Sequence, residues 1–322
     1  MRKILVTGGA GYIGSHTCKL LALSGYEPVA YDNLSTGHRE FVKWGPLVTG
    51  DLHDTARLTQ TMLDHRPLAV IHFAASAYVG ESVANPFKYY RNNVGGTLSL
   101  LEAMRNAGLR HLVFSSTCAT YGIPETVPIH EKCTQRPINP YGQSKMMIEQ
   151  ILRDLSGRHE INHVCLRYFN AAGADRDGEI GEKHIPETHL IPLAIQSALG
   201  GPELKIFGTD FATPDGTAIR DYIHVEDLSR AHVLAVEYLL SGGASDYINL
   251  GTGHGNSVKE IVLSLEALGL PAKTSTAPRR EGDPACLVAD ASRAKRQLNW
   301  VPLYLDIRDT LSTAIAWHKN QG

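Results

Sequence analysis

No run among the 322 residues comes near the roughly 20 consecutive apolar side chains that a membrane-spanning helix requires. The apolar stretch near the N-terminus, Ile4-Leu-Val6, is also too short for the core of a secretory signal. Both absences set the expectation of a soluble, cytoplasmic protein with no membrane partner. An excess of charge of one sign is missing too: 31 lysines and arginines face 33 aspartates and glutamates, a formal charge of -2. That balance offers no basic surface for nucleic acid, so a phosphate-bearing ligand must rely on a few local arginines and on backbone amides. Cysteines are few and unpaired in pattern. Cys18, Cys118, Cys133, Cys165 and Cys286 are odd in number, widely separated and without a C-x-x-C step. A disulfide framework and a zinc knuckle are both excluded, and a reducing compartment suits such a set. Internal repeats and low-complexity tracts are absent, and the expected partners are small molecules.

What is present is an alternation of short apolar runs with helix-period segments. Lys3 to Thr7, Pro28 to Tyr31, Ala69 to Phe73, His111 to Phe114 and Val164 to Tyr168 read as strands buried on both faces. With helices between them they predict a doubly wound, parallel α/β sheet of the Rossmann type over residues 1–170. From residue 171 to 322 the texture shifts to Gly- and Pro-rich loops, which predicts a second, smaller mixed α/β domain for substrate. Arg220 to Val225 followed by Asp227 to Leu240 reads as a strand and helix that rejoin the first sheet, so the chain is expected to cross back around 219–250.

The first predicted strand runs directly into Gly8-Gly-Ala-Gly11-Tyr12-Ile13-Gly14, with glycines at three-residue steps opening a helix. Glycine permits the tight turn and close approach to a pyrophosphate, while the helix N-terminus supplies amides and a positive dipole. Asp32 ends the second strand eighteen positions after Gly14, where a ribose-binding carboxylate belongs. A carboxylate there repels a 2'-phosphate, and no arginine follows until Arg39. NAD is therefore expected rather than NADP. Asn33 adjoins that carboxylate, Asp51 and Leu52 follow the third strand near the expected adenine, and Phe73-Ala74-Ala75 puts small residues where a cofactor passes.

Tyr141 and Lys145 stand four residues apart on one face of a predicted helix. An ammonium beside a phenol favours the phenolate and pulls its pKa from about 10 toward neutrality, which makes the pair a candidate proton shuttle. Beside a dinucleotide turn, the proton is expected to accompany a hydride.

The glycine turn, Asp32, Asn92-Asn93, Ser115-Ser-Thr117, Tyr141 with Lys145, and Arg167-Tyr-Phe-Asn170 occur in an order that resembles the extended short-chain dehydrogenase/reductases. Val79-Gly-Glu-Ser82, Arg220-Asp-Tyr-Ile-His-Val225 and Arg279-Arg-Glu-Gly-Asp283 narrow the likeness to members that invert C4 of UDP-hexoses. The resemblance implies Tyr141 as acid/base, Lys145 on the nicotinamide ribose, and Thr117 as a hydroxyl bridging sugar and phenol. It further implies Asn92 and Phe169 against the cofactor. Asn170, His189, Leu190, Phe207, Arg220, Arg280, Asp283 and Leu287 are implied around a UDP-sugar, and homodimerisation is implied for the chain. Arginine forks suit a diphosphate.

Three residues depart from the pattern. Ala77 replaces a phosphate-directed lysine, His189 stands for an asparagine, and Leu287 is smaller than the aromatic residue of hexose-only members, which implies acceptance of UDP-N-acetylhexosamines. Thr117-Cys118-Ala119 lacks the Asp-Glu pair that a 4,6-dehydratase needs after its threonine. The remaining rivals are epimerases of pentose or uronic acid nucleotides, a dehydrogenase that releases NADH, and a non-catalytic dinucleotide sensor.

Two other signals are read as structural. His184-Ile-Pro-Glu187-Thr-His189 lacks helical two-His spacing, so no metal is expected and the segment reads as a substrate loop. Asn249-Leu-Gly-Thr-Gly-His-Gly255 could suggest a second phosphate loop, but Ser257-Val-Lys-Glu260 is a capping box that explains it as a turn into a helix.

Overall fold

A computed structural model describes residues 2–158, 160–280 and 282–321. Glu281 of the Arg279 to Asp283 motif therefore lies outside the described residues. In chain order the strands are β1 (Arg2–Thr7), β2 (Tyr26–Asp32), β3 (Leu47–Thr49), β4 (Ala69–His72), β5 (His111–Thr117), β6 (Asn162–Tyr168) and β7 (Asn170–Ala172). They continue as β8 (Leu204–Phe207), β9 (Ile219–His224), β10 (Asp246–Leu250), β11 (Gly255–Ser257), β12 (Thr274–Ala277) and β13 (Cys286–Leu287).

Seven strands form one parallel sheet in the order β10-β6-β5-β4-β1-β2-β3. The five apolar runs fall in β1, β2, β4, β5 and β6. Their side chains alternate between two cores, one on each face, as a strand's two-residue period requires. Ile4, Val6, Ile71, Val113 and Leu166 pack with the helix Val225–Leu240 on one side. Leu5, Val70, Leu112, Phe114 and Cys165 meet the helices Thr55–His65, Gly96–Asn106 and Pro140–Ser156 on the other. Each fully buried aliphatic of this kind contributes about 1.5–3 kcal/mol, so both faces are held in register without a polar side.

The return of the chain takes a different route from the one the sequence suggests. β9 does not join the large sheet. It lies inside a small sheet with β7, β11 and β13, where its polar residues Arg220 and buried Asp221 find partners in Asp283 and in the amides of residues 252, 253 and 289. The helix Val225–Leu240 crosses back, and β10 adds to the sheet beside β6. A third cluster, including Ile191, Ile195, Tyr222, Ile261, Leu265 and Leu311, forms the core beneath the small sheet.

The predicted capping box is present: the Ser257 hydroxyl accepts from the Glu260 amide, and the Glu260 carboxylate accepts from the Ser257 amide. The glycine-rich loop before it has its amides taken. The buried Asp221 carboxylate accepts from the amides of Thr252, Gly253 and Ala289 and from the Thr252 hydroxyl. The amides of Thr252 and Gly253 at the loop's centre are thus committed to a carboxylate of the protein itself.

β1 lies between β2 and β4, so the chain leaves it toward opposite sides of the sheet. That reversal opens a crevice at the carboxyl ends of β1 and β4, where ligands of doubly wound sheets bind. No helix among the described residues is long and apolar enough to cross a membrane.

Candidate active site

The glycine turn occupies the crevice. Gly8 has a φ of 75°, and a Cβ on it would meet the Ala74 amide nitrogen at 2.6 Å. β4 ends in small residues for that reason. Gly14 is more constrained still, since a Cβ there would come within 2.1 Å of the Gly8 carbonyl oxygen. Gly11 caps the helix Tyr12–Leu23 without any side-chain hydrogen bond, leaving the first amides, those of Tyr12 and Ile13 included, for a ligand. The Tyr12 side chain turns away, its hydroxyl donating to the Gly173 carbonyl at 2.6 Å.

Asp32 ends β2 facing this turn. One carboxylate oxygen accepts from the Ala10 amide and the other from the Leu34 amide, at 3.0 and 2.8 Å. Burial raises its pKa, and the two amides oppose the rise. Each oxygen keeps a lone pair for a further donor, such as a ribose hydroxyl. Asn33 donates to Asp51 at 2.8 Å, and Asp51 and Asn92 line the same open groove of about 890 Å³. Leu52 is buried in the core below. These residues fit a dinucleotide with an unphosphorylated ribose. Gly14→Ala is expected to cost about 1–3 kcal/mol through overpacking, lowering the melting temperature and the NAD retained through gel filtration. Full retention would contradict this reading of the turn.

Farther along the crevice, Thr117 ends β5 and Tyr141 and Lys145 project from the helix Pro140–Ser156. That helix starts where it does because the Asn139 side chain accepts from the Gly142 amide at 2.8 Å and Pro140 occupies the first turn. Lys145 is buried, and its Nζ donates to the Ser115 carbonyl at 2.8 Å, lying 4.8 Å from the Phe114 ring centroid and 6.0 Å from that of Tyr141. Ser115 reaches the Tyr168 hydroxyl at 2.5 Å.

The electrostatics differ from the sequence expectation. Burial pushes the Tyr141 phenol well above its ordinary pKa, Tyr168 adds to the rise, and Thr117 pulls it back only in part. Burial also lowers Lys145 to about 7. Desolvation penalises both charged forms, and the amine points at a carbonyl rather than at the phenol. Burial thus works against the charged form of each partner. Phenolate formation needs further positive charge in the site.

The substrate-side residues divide by position. Leu287 pairs with Arg220 across β13 and β9 and packs with Cys118, Tyr121 and Phe169, which places it next to the Thr117 turn. Arg220 forms an ion pair with Asp283. Arg280 stacks over Phe207 at 4.1 Å from the ring centroid. Asn170 begins β7. His189 instead joins Glu182, Glu187 and His184, and Leu190 starts the helix Leu190–Ala198 just after it. Ala77 is exposed.

The sequence profile of the NAD dependent epimerase/dehydratase family matches residues 4–251. The chain belongs to that family. A UDP-glucose 4-epimerase of Rhizobium meliloti is 55% identical over 323 aligned positions, covering 99% of this chain and 98% of its own length. A crystal structure of UDP-glucose 4-epimerase from Brucella ovis in complex with NAD superposes with a TM-score of 0.96 at 55% identity, over 98% of each chain. The Bifidobacterium longum enzyme in complex with NAD+ and UDP gives 0.94 at 38% identity, over 99% of this chain and 98% of that one. Members of this family are NAD dependent, which accords with the cradle formed by Gly8, Gly14 and Asp32.

Asn93 and Arg167 belong to motifs that the sequence marks, but the buried partners that make them hold the site in place are not legible there. Asn93 is buried, bonding to both the amide and the carbonyl of Ser76 and to the Ser144 hydroxyl, while its neighbour Asn92 stays partly exposed. The two asparagines thus split into one structural and one accessible. Arg167 makes a two-pronged pair with Glu149 at 2.9 and 2.6 Å, behind β5. A signal existed for it: an arginine inside the otherwise apolar run Val164-Cys-Leu-Arg-Tyr168 must have a buried partner.

Proposed function

We propose that this chain interconverts UDP-galactose and UDP-glucose by inverting sugar C4 through a 4-keto intermediate, and that UDP-N-acetylhexosamines are further substrates. The observation that carries the reading is Thr117, Tyr141 and Lys145 gathered at the nucleotide crevice without an acid and base pair beside the threonine. Dehydration lacks its groups. A sensor would have no use for the relay.

Gly8, Gly11, Gly14 and Asp32 would hold NAD, which when bound would accept and return the C4 hydride and bring positive charge to the site. The chain's own groups do the rest. Tyr141 takes the proton from the 4-hydroxyl and returns it, and the Thr117 hydroxyl bridges phenol and sugar oxygen. Lys145, fixed by the Ser115 carbonyl, keeps positive charge near the phenol when protonated. Arg220 and Arg280 hold the diphosphate, so the nucleotide stays anchored while the hexose presents its other face. Residues 1–170 with the returning segment bind the coenzyme, and the remainder binds substrate. A cytoplasmic homodimer completes the proposal. The five free cysteines suit that compartment, and Leu98 and Met147 are apolar side chains left exposed on neighbouring helices. Appearance of UDP-glucose from UDP-galactose without added coenzyme or accumulating NADH tests the assignment. Net NADH production would replace it with a dehydrogenase.

Leu287 carries the proposed breadth. Leu287→Tyr should lower kcat/KM for UDP-N-acetylgalactosamine relative to UDP-galactose by about 10- to 100-fold, the range one bulky contact commands. Equal losses for both sugars would remove the residue from specificity.

A further inference from the structure

We propose that Glu182, His184, Glu187 and His189 form a binding site for one divalent d-block cation of the zinc class. This inference stands apart from the reaction proposed above. The segment lacks the helical spacing by which two-histidine sites are usually read, yet the loop folds so that four donor atoms lie within 4.8 Å of one another. The His184 Nδ1 is 3.2 Å from Glu182 and 3.6 Å from Glu187, and the His189 Nδ1 is 3.3 Å from Glu187. A tetrahedron with metal–ligand bonds of about 2.0–2.1 Å has edges of about 3.3–3.4 Å. Three of the observed separations match those edges. The fourth, 2.6 Å between His189 and Glu182, is a hydrogen-bonded contact that must open slightly.

Burial and charge support the same conclusion. The Glu182 and Glu187 side chains are only 5% and 6% exposed. The His184 Nδ1 is buried and faces both carboxylates at 3.2 and 3.6 Å without a well-aligned hydrogen bond to either. Two neutral imidazoles and two carboxylates carry a charge of -2, which one divalent cation would neutralise. Two imidazoles with two carboxylates select zinc-like ions over calcium or magnesium, which prefer all-oxygen shells. A second cluster among the described residues, Asp175, Asp177 and Glu179, is already filled by the Lys19 ammonium at 2.7–2.8 Å.

The location gives the cation a structural task. The Tyr12 and Tyr78 rings meet His184 edge-on, with centroids 6.3 and 5.9 Å away. His189 directly precedes the helix Leu190–Ala198. A bound ion would tie that helix to the wall of the glycine turn.

The test uses the purified full chain with its NAD, stripped with EDTA and titrated with Co2+. One equivalent is expected to give the strong visible absorption of four-coordinate cobalt, displaceable by Zn2+. The double variant His184→Gln/His189→Gln should lose that absorption, while the exposed His254→Gln should keep it. Should the double variant not fold, Glu187→Gln serves instead: at least tenfold weaker Co2+ binding is expected, with NAD content and circular dichroism unchanged. Absence of four-coordinate absorption in the parent protein, or unweakened binding in Glu187→Gln, would overturn the proposal.

Discussion

Replacing Tyr141 by phenylalanine is expected to lower kcat by about 10³-fold or more, at the upper part of the range for general acid–base catalysis. The substitution deletes one hydroxyl and keeps the ring, whose centroid lies 6.5 Å from that of Tyr89 in an edge-on contact. Packing is therefore preserved. Neither Thr117 nor Lys145 can stand in, because the threonine hydroxyl is far too weak an acid and the amine is held by the Ser115 carbonyl. UDP affinity, measured by calorimetry, should change little, since the residues proposed for the diphosphate lie on β9 and in the loop after β12. Turnover near that of the parent protein would remove Tyr141 from the reaction.

The largest expected loss of stability comes from Arg167→Leu. Glu149 would be left buried at the back of β5 with only the Ser116 hydroxyl and the Gln135 amide as partners, at 2.6 and 2.8 Å. Breaking a buried pair from one side costs about 3–5 kcal/mol, because the stranded charge has no water to replace its partner. Tyr121 would also lose the guanidinium at 2.9 Å from its hydroxyl. Adding Glu149→Leu should recover much of the loss, since removing both charges ends the desolvation penalty. Urea unfolding of the two single variants and the double variant measures the coupling. Purely additive losses would mean the pair does not act as a unit.

The parallel sheet was legible because its strands are short apolar runs, and a two-faced buried strand has few other ways to be written. Gly8, Gly14 and Asp32 were legible for a related reason: close backbone approach and a strand-end carboxylate each restrict residue type. What escaped depended on contacts between distant segments. β9 carries a strand pattern that does not say which sheet it joins, and only Asp221, gathering amides from 252, 253 and 289, ties it to the small one. The pKa of Tyr141 escaped as well, since a spacing of four residues gives proximity but not the depth of burial. Glu182 and His189 met through a loop whose path the spacing of their residues does not encode.

Proton NMR of UDP-galactose incubated with the enzyme in D2O tests the central claim most directly. The account predicts that anomeric signals of UDP-galactose and UDP-glucose reach equilibrium while the hydrogen on C4 stays protium, because it travels as hydride within the site and only the hydroxyl proton passes through Tyr141. Deuterium appearing at C4 of the product, or no interconversion at all, would contradict it.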